Sequence, residues 1–270
     1  MGPETTPPHA DRLFATQRTD NWWGYPLTLF VILSGFVVYG FVRVFTSPTI
    51  GSFVADDPVA GFHYLAPFGT PDLTVFVPGA WKDAIPLLAY PGFLILPFPA
   101  GFRFTCYYYR KAYYRAFVAR PSACNVEAAK GVKYKGERGL LVFQNLHRYF
   151  LLAALVITGF LLYDAVRSVW TPHGLYFGIG SALMLLNIVL LAGYTFGCHS
   201  LRHLVGGRLD CFSCTAIART RHSMWEGVTR LNQNHGRWAM ASLFSVALTD
   251  AYIWWLTAHP GTTEILGVPV

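Results

Sequence analysis

Five apolar runs, each close to the length a helix needs to cross a bilayer, constrain this chain more than any other feature. A spanning helix takes ~20 predominantly apolar residues, and the runs fall at about 26–45, 84–104, 149–169, 175–197 and 237–258. Charge agrees with them: 53% of the 270 residues are hydrophobic and only 13% are charged, against roughly 25% charged in a soluble domain. Too little polar surface remains to cover a soluble globule of this size. The predicted fold is therefore an all-α membrane protein, a five-transmembrane-helix bundle forming one domain over residues 1–270. Pro86, Pro91, Pro97 and Pro99 are expected to kink the second run, because each removes a backbone donor.

Orientation follows from the cations, since connections rich in Lys and Arg stay cytoplasmic. The connection at 105–148 carries Arg110, Lys111, Arg115, Arg120, Lys130, Lys133, Lys135, Arg138 and Arg148, and that at 198–236 carries Arg202, Arg208, Arg219, Arg221 and Arg230. The stretch from Thr46 to Gly79 has no Lys or Arg but holds Asp56, Asp57 and Asp72, so it is expected outside. An odd number of spans then places the N-terminus in the cytoplasm and the C-terminus outside. Residues 1–25 read as a cytoplasmic tail rather than a targeting segment, because no small-residue cleavage site accompanies the first run. The net charge of +7 serves topology or a docking surface, and nucleic acid is excluded as a partner for a chain this apolar.

All five cysteines, Cys106, Cys124, Cys198, Cys211 and Cys214, fall on the predicted cytoplasmic side, where structural disulfides are not expected. His147, His199, His203, His222 and His235 fall there too. His199 and His203 stand four apart, the spacing that puts two imidazoles on one helical face. Cys106, Cys124, Cys198, His199 and His203 are the candidate metal ligands, with Cys211, Cys214 and His235 in reserve. Zinc accepts such donors, and Cys211/Cys214 has a zinc-like spacing. A haem b needs axial histidines, which here limits it to one group near His147, His203 and His235. A [2Fe-2S] cluster with two thiolates and two imidazoles matches the mixed inventory better.

Several segments in order carry a resemblance: Phe104-Thr-Cys106-Tyr-Tyr-Tyr-Arg-Lys-Ala-Tyr-Tyr-Arg115, Gln144-Asn-Leu-His147-Arg-Tyr149, Cys198-His199-Ser-Leu-Arg-His203 with Gly206-Gly207, and Leu231-Asn-Gln-Asn-His235 leading to Thr249-Asp250-Ala-Tyr252. Over about residues 20 to 258 the chain resembles the membrane-anchor subunits of actinobacterial succinate dehydrogenases, of the mycobacterial type that holds a Rieske-like [2Fe-2S] cluster. The resemblance implies a single-chain five-helix anchor in the cell membrane, with flavoprotein and iron-sulfur subunits as partners and a higher oligomer of the complex open. It further implies that electrons pass through the cluster to menaquinone.

A quinone that takes those electrons needs an interfacial pocket with an apolar body and a few polar groups. Arg103, Tyr107, His147, Arg148, His235 and Trp238 are the candidates, at the cytoplasmic ends of three predicted helices. Asp164 and Asp250 lie 16 residues beyond Arg148 and 13 beyond Arg237, on the order of 20 Å along their helices. Ionisable residues so deep are functional candidates, here as a proton relay. Two other readings use the same residues: a haem b quinone-reactive cytochrome, and a zinc-stabilised transporter-like protein.

Overall fold

The computed structural model describes residues 14–16, 18–118, 121–126, 138–262, 264 and 268–269. The N-terminal tail to residue 13 and the cations Arg120, Lys130, Lys133 and Lys135 lie outside the described residues. In chain order the helices are α1 (Gly24–Phe45), α2 (Gly79–Ala84), α3 (Pro91–Ile95), α4 (Pro97–Phe104), α5 (Tyr107–Arg110), α6 (Arg138–Asn145), α7 (His147–Arg167), α8 (Ile179–Phe196), α9 (His199–Gly206), α10 (Ala216–Gln233) and α11 (His235–Ala258). The strands are β1 (Val54–Asp57), β2 (Phe62–Leu65), β3 (Trp170–Thr171), β4 (Gly174–Phe177) and β5 (Val268–Pro269).

Four helical stretches among the described residues are long and apolar enough to cross a membrane: Gly24–Phe45, Val142–Arg167, Ile179–Phe196 and His235–Ala258. Helices satisfy their own backbone hydrogen bonds, which a lipid environment requires. Phe30, Val31 and Phe41 of α1, Leu152, Val156 and Phe160 of α7, and Phe244 and Leu248 of α11 remain exposed. Apolar surface on that scale is what a bilayer covers.

The run at 84–104 is not one continuous helix. A 3₁₀ turn starts at Pro86, α3 at Pro91 and α4 at Pro97. Each start coincides with a residue that cannot donate to the preceding turn but suits the first position of a new one. Leu96 keeps helical angles between α3 and α4, so residues 91 to 104 follow a kinked path of ~21 Å at 1.5 Å per residue. The run at 175–197 is also shorter than expected. Leu175–Phe177 belongs to the β3–β4 hairpin, where Trp170 pairs with Leu175 and Thr171 with Gly174. Gly174 supplies φ +128° at its turn, a conformation side chains resist. The 198–236 connection, read as a loop, is instead largely the two helices α9 and α10.

Two compact units divide the chain: Met1–Val37 with Arg103–His147, and Val38–Phe102 with Arg148–Val270. In the first, the Tyr25 and Tyr108 hydroxyls meet at 2.6 Å, tying the start of α1 to α5. Phe104 stacks on Tyr113 at 4.8 Å and meets Phe143 edge-on.

The second unit holds a bundle whose α8 and α11 pack along each other, joined by Ser245 Oγ donating to Asn187 Oδ1 at 2.7 Å. One end of this bundle is closed by β1–β2 and β3–β4–β5. The last turn of α1, the end of α7, the start of α8 and the end of α11 all reach that end, so α8 runs against the other three. Glu264 pins the C-terminal segment there. Its carboxylate accepts from the Tyr64 and Tyr176 hydroxyls at 2.9 Å, from Tyr252 at 2.6 Å and from the Gly180 amide at 3.0 Å.

Candidate functional site

At the other end of the second unit, α8 stops at Gly197 and the chain turns back as a hairpin of α9 and α10. Cys198 caps α9 and is 1% exposed. Gly206 packs against Trp225, where a Cβ would stand 2.3 Å from the ring. Arg221 donates to the carbonyls of Val205 at 2.9 Å and Gly207 at 2.6 Å, satisfying groups that a helix end leaves orphaned. Arg202 lies over the Trp225 ring at 4.6 Å and donates to Thr229. On this frame His199 and His203 face each other, Nε2 to Nε2, at 3.0 Å. Burial, then the nearby His203 and Arg202, hold His199 below the ordinary histidine value. A neutral imidazole is the form that binds metal.

Above the hairpin lies an aromatic group from three helices of the same unit. Phe102 meets Tyr194 at 5.3 Å and Tyr194 stacks on His235 at 4.9 Å. Trp238 lies flat against α8 because position 193 is glycine, where a Cβ would come within 2.6 Å of the indole. The Trp238 Nε1–H is buried and has no hydrogen-bond partner among the described residues. Buried donors are nearly always satisfied, so this one stands out at this end of the unit.

The remaining predicted cofactor and quinone residues belong mainly to the first unit. Cys106 caps α5 and is buried. His147 Nδ1 stands 2.9 Å from the Thr105 hydroxyl. Arg103 donates to the Tyr109 hydroxyl at 2.7 Å. Burial raises the Tyr109 phenol above its usual value, and Arg103 opposes that. Tyr107 is exposed under the Arg110 guanidinium, and Arg148, in the second unit, is exposed. Cys124 is exposed in a short turn beside Arg18. Arg110, one of the cations read as topology or docking charge, is only 4% exposed and lies over the Tyr107 ring at 5.0 Å.

The two deep carboxylates have different surroundings. Asp164 accepts from Thr70 Oγ1 at 2.6 Å. Asp250 is fully buried and accepts at Oδ2 from Arg43 Nε at 2.9 Å and Tyr39 at 2.6 Å, while its Oδ1 has no partner among the described residues. Arg43 is 0% exposed, bonds Ser47 and the Ser52 carbonyl, and lies over Phe53 and Trp254. Its importance was legible only as a lone cation in an apolar run, and its partner, 207 residues away, was not.

Whether these donors suit a metal cluster can be tested on geometry. Two imidazoles bound to one ion at ~2.0–2.1 Å stand ~3.0–3.4 Å apart, and His199 and His203 meet that spacing. Among the described residues no group of three or more His, Cys, Asp or Glu side chains is gathered for a metal. Among those residues the two imidazoles stand within hydrogen-bond distance of each other, with no third donor gathered beside them. Cys211 and Cys214 are joined in a disulfide, with Cα atoms 5.8 Å apart. That corrects both the expectation of no disulfide and their place as reserve ligands, since a bonded pair offers no thiolate.

Several helical stretches long and apolar enough to cross a membrane, with a hairpin of two shorter helices at one end, define the class as a multi-span helical membrane protein. Residues 24–259 match the family described as actinobacterial succinate dehydrogenase subunit SdhC. The chain belongs to that family, and is thus a membrane subunit of a succinate dehydrogenase, an oxidoreductase complex. Among solved structures it is similar to a chain of the Mycobacterium smegmatis Sdh1 complex in the apo form, with 36% identity, a TM-score of 0.78, and coverage of 97% of this chain and 96% of that one. No curated protein matches it.

Proposed function

We propose that this subunit anchors flavoprotein and iron-sulfur subunits to the membrane and relays their electrons, through a Rieske-like [2Fe-2S] cluster, to menaquinone. The observation that carries the reading is the His199–His203 pair at 3.0 Å, held on a hairpin braced by Arg202, Arg221 and Gly206. In this reading the two imidazoles hold one iron, and Cys198 with Cys106 or Cys124 supplies the thiolates. When bound, a cluster of this kind exchanges single electrons at roughly −150 to +300 mV.

The chain's own groups do the rest. Trp238 offers its buried N–H to a quinone carbonyl, and Phe102, Tyr194 and His235 form an aromatic wall for the ring. Arg103, Tyr107, His147 and Arg148 are proposed as further quinone-binding side chains. Asp164 and Asp250 are proposed as proton carriers, an idea supported by the unpartnered Asp250 Oδ1. We place the α9–α10 end and the N-terminus in the cytoplasm, and the hairpin-closed end outside. The kinked path through residues 91 to 104 serves as the fifth membrane segment.

His203→Ala, made in the complete complex, tests the relay. Quinone reduction is expected to fall to background while succinate oxidation by a soluble dye persists, because the lesion lies downstream of the flavoprotein. Equal loss of both activities, or retention of quinone reduction, contradicts the assignment.

A further inference from the structure

We propose that Cys211 and Cys214 form a reversible thiol–disulfide exchange centre on the α9–α10 turn, acting on low-molecular-weight thiols and disulfides. The pair is bonded, yet Cys214 is exposed, and so are Phe212 and Ser213 between the two cysteines. A reagent can therefore reach the Cys214 sulfur directly.

The local backbone suits exchange chemistry. Cys214 directly precedes Thr215, the N-cap of the 18-residue α10, whose hydroxyl accepts from the Ala218 amide. The amide of Cys214 points at the Cys211 sulfur at 3.2 Å. When the disulfide opens, that amide and the positive end of α10 stabilise a Cys211 thiolate. Arg219, which donates to the Ser213 carbonyl at 3.0 Å, adds a cation near the pair. A stabilised thiolate is a good leaving group.

The bond also contributes little to holding the hairpin. A cross-link's stabilisation grows with the logarithm of the loop it closes and is smallest for the shortest loops; this one spans a sequence separation of three. Arg221 on Val205 and Gly207, Arg202 on Thr229 and Trp225, and the Gly206–Trp225 contact brace α9 against α10 independently. A structural staple belongs where the fold lacks such contacts. Here the bond can open without dismantling the turn.

The reaction balances as an exchange. An external thiolate attacks the Cys214 sulfur, forming a mixed disulfide and releasing Cys211 as thiolate. A second external thiolate attacks the sulfur of the reagent and releases Cys214. The protein gains two electrons and takes up protons at both sulfurs, while two thiols become one disulfide. The reverse sequence, driven by a small disulfide, restores the bond.

The test uses the intact complex without denaturant, equilibrated with mixtures of reduced and oxidised dithiothreitol, then acid-quenched, alkylated and read by peptide mass spectrometry. Alkylation at Cys211 and Cys214 is expected to rise together from none to both residues as the reduced fraction grows, and to reverse. With Cys214→Ser, incubation with oxidised glutathione is expected to add one glutathione at Cys211. Three results overturn the proposal: a bond that opens only after unfolding, thiols alkylated equally at every ratio, or alkylation blocked by bound iron and restored on its removal. The last assigns the pair to the metal instead. Because the readout is thiol labelling, a failure of the electron-relay reading leaves this test intact.

Discussion

The two ends of the larger unit treat buried polar groups in opposite ways. At the hairpin-closed end, Arg43 and Glu264 are buried and each is met by several partners from distant parts of the chain. At the α9–α10 end, the Trp238 N–H is buried without a partner among the described residues, and the exposed imidazoles of His199 and His203 bond each other. Apart from Asp250 Oδ1, which has no partner among the described residues, the first end meets its buried charges internally and holds the helices together. The other end leaves the Trp238 donor unmet among the described residues and presents two exposed imidazoles side by side.

The sharpest way to break that contrast is at Arg43. Arg43→Met leaves Asp250 as a buried, uncompensated carboxylate, and breaking such a pair costs ~3–5 kcal/mol. The expected readout is a large loss of thermal stability of the subunit in detergent, mostly recovered in the Arg43→Met/Asp250→Leu double variant. Recovery fails if the pair does more than compensate charge. The milder Asp250→Asn then separates structure from proton transfer: a carrier role cuts menaquinone reduction in energised vesicles more than in detergent, and equal losses in both assign Asp250 to packing alone.

Trp238→Phe probes the opposite end with a smaller expected effect. It removes a donor without a partner among the described residues, so stability should hold, whereas losing a hydrogen bond of ~0.5–1.5 kcal/mol to a quinone carbonyl weakens binding. The expected signature is a raised KM for quinone by about 2- to 13-fold with unchanged thermal stability. A stability loss without a change in KM places the indole in the structural class of Arg43.

The smallest effect concerns Asp56, in the β1–β2 hairpin. Its Oδ1 meets His63 Nδ1 at 3.0 Å and His173 Nε2 at 2.9 Å. Partial burial raises its carboxyl, but the hydrogen bonds from His173 and His63 outweigh that and leave it below the usual range. A depressed folded value means the contribution is complete above the unfolded pKa of ~3.9 and is lost as pH falls through the lower folded value. Hydrogen exchange in the two hairpins is therefore expected to accelerate below about pH 4 in the native chain. In Asp56→Asn that pH dependence should be absent.

The same contrast explains what could be read beforehand. Apolar runs locate α1, α7 and α11 to within a few residues, because lipid forces a helix wherever the chain stays apolar. Pro86, Pro91 and Pro97 foretold that the second run bends, and the structure carries the effect further, to separate short helices. The His199–His203 spacing was legible as soon as a helix was assumed. Long-range partners were not. Nothing local in Arg43, Asp250 or Glu264 reveals that residues 207, 200 or 88 positions away complete their hydrogen bonds. Arg110 read as surface charge because sequence shows a cation but not its burial, and Cys211–Cys214 read as thiols because compartment was weighed above geometry.

Iron, acid-labile sulfide and haem measured together on the purified complex, alongside the electron paramagnetic resonance of its reduced form, test the central claim most directly. Relative to the partner subunits' own centres, this subunit is expected to add two iron and two sulfide, with a reduced signal of the low average g value of imidazole-ligated iron and no stoichiometric haem. One haem per chain by pyridine haemochrome, with no added iron-sulfur signal, contradicts it.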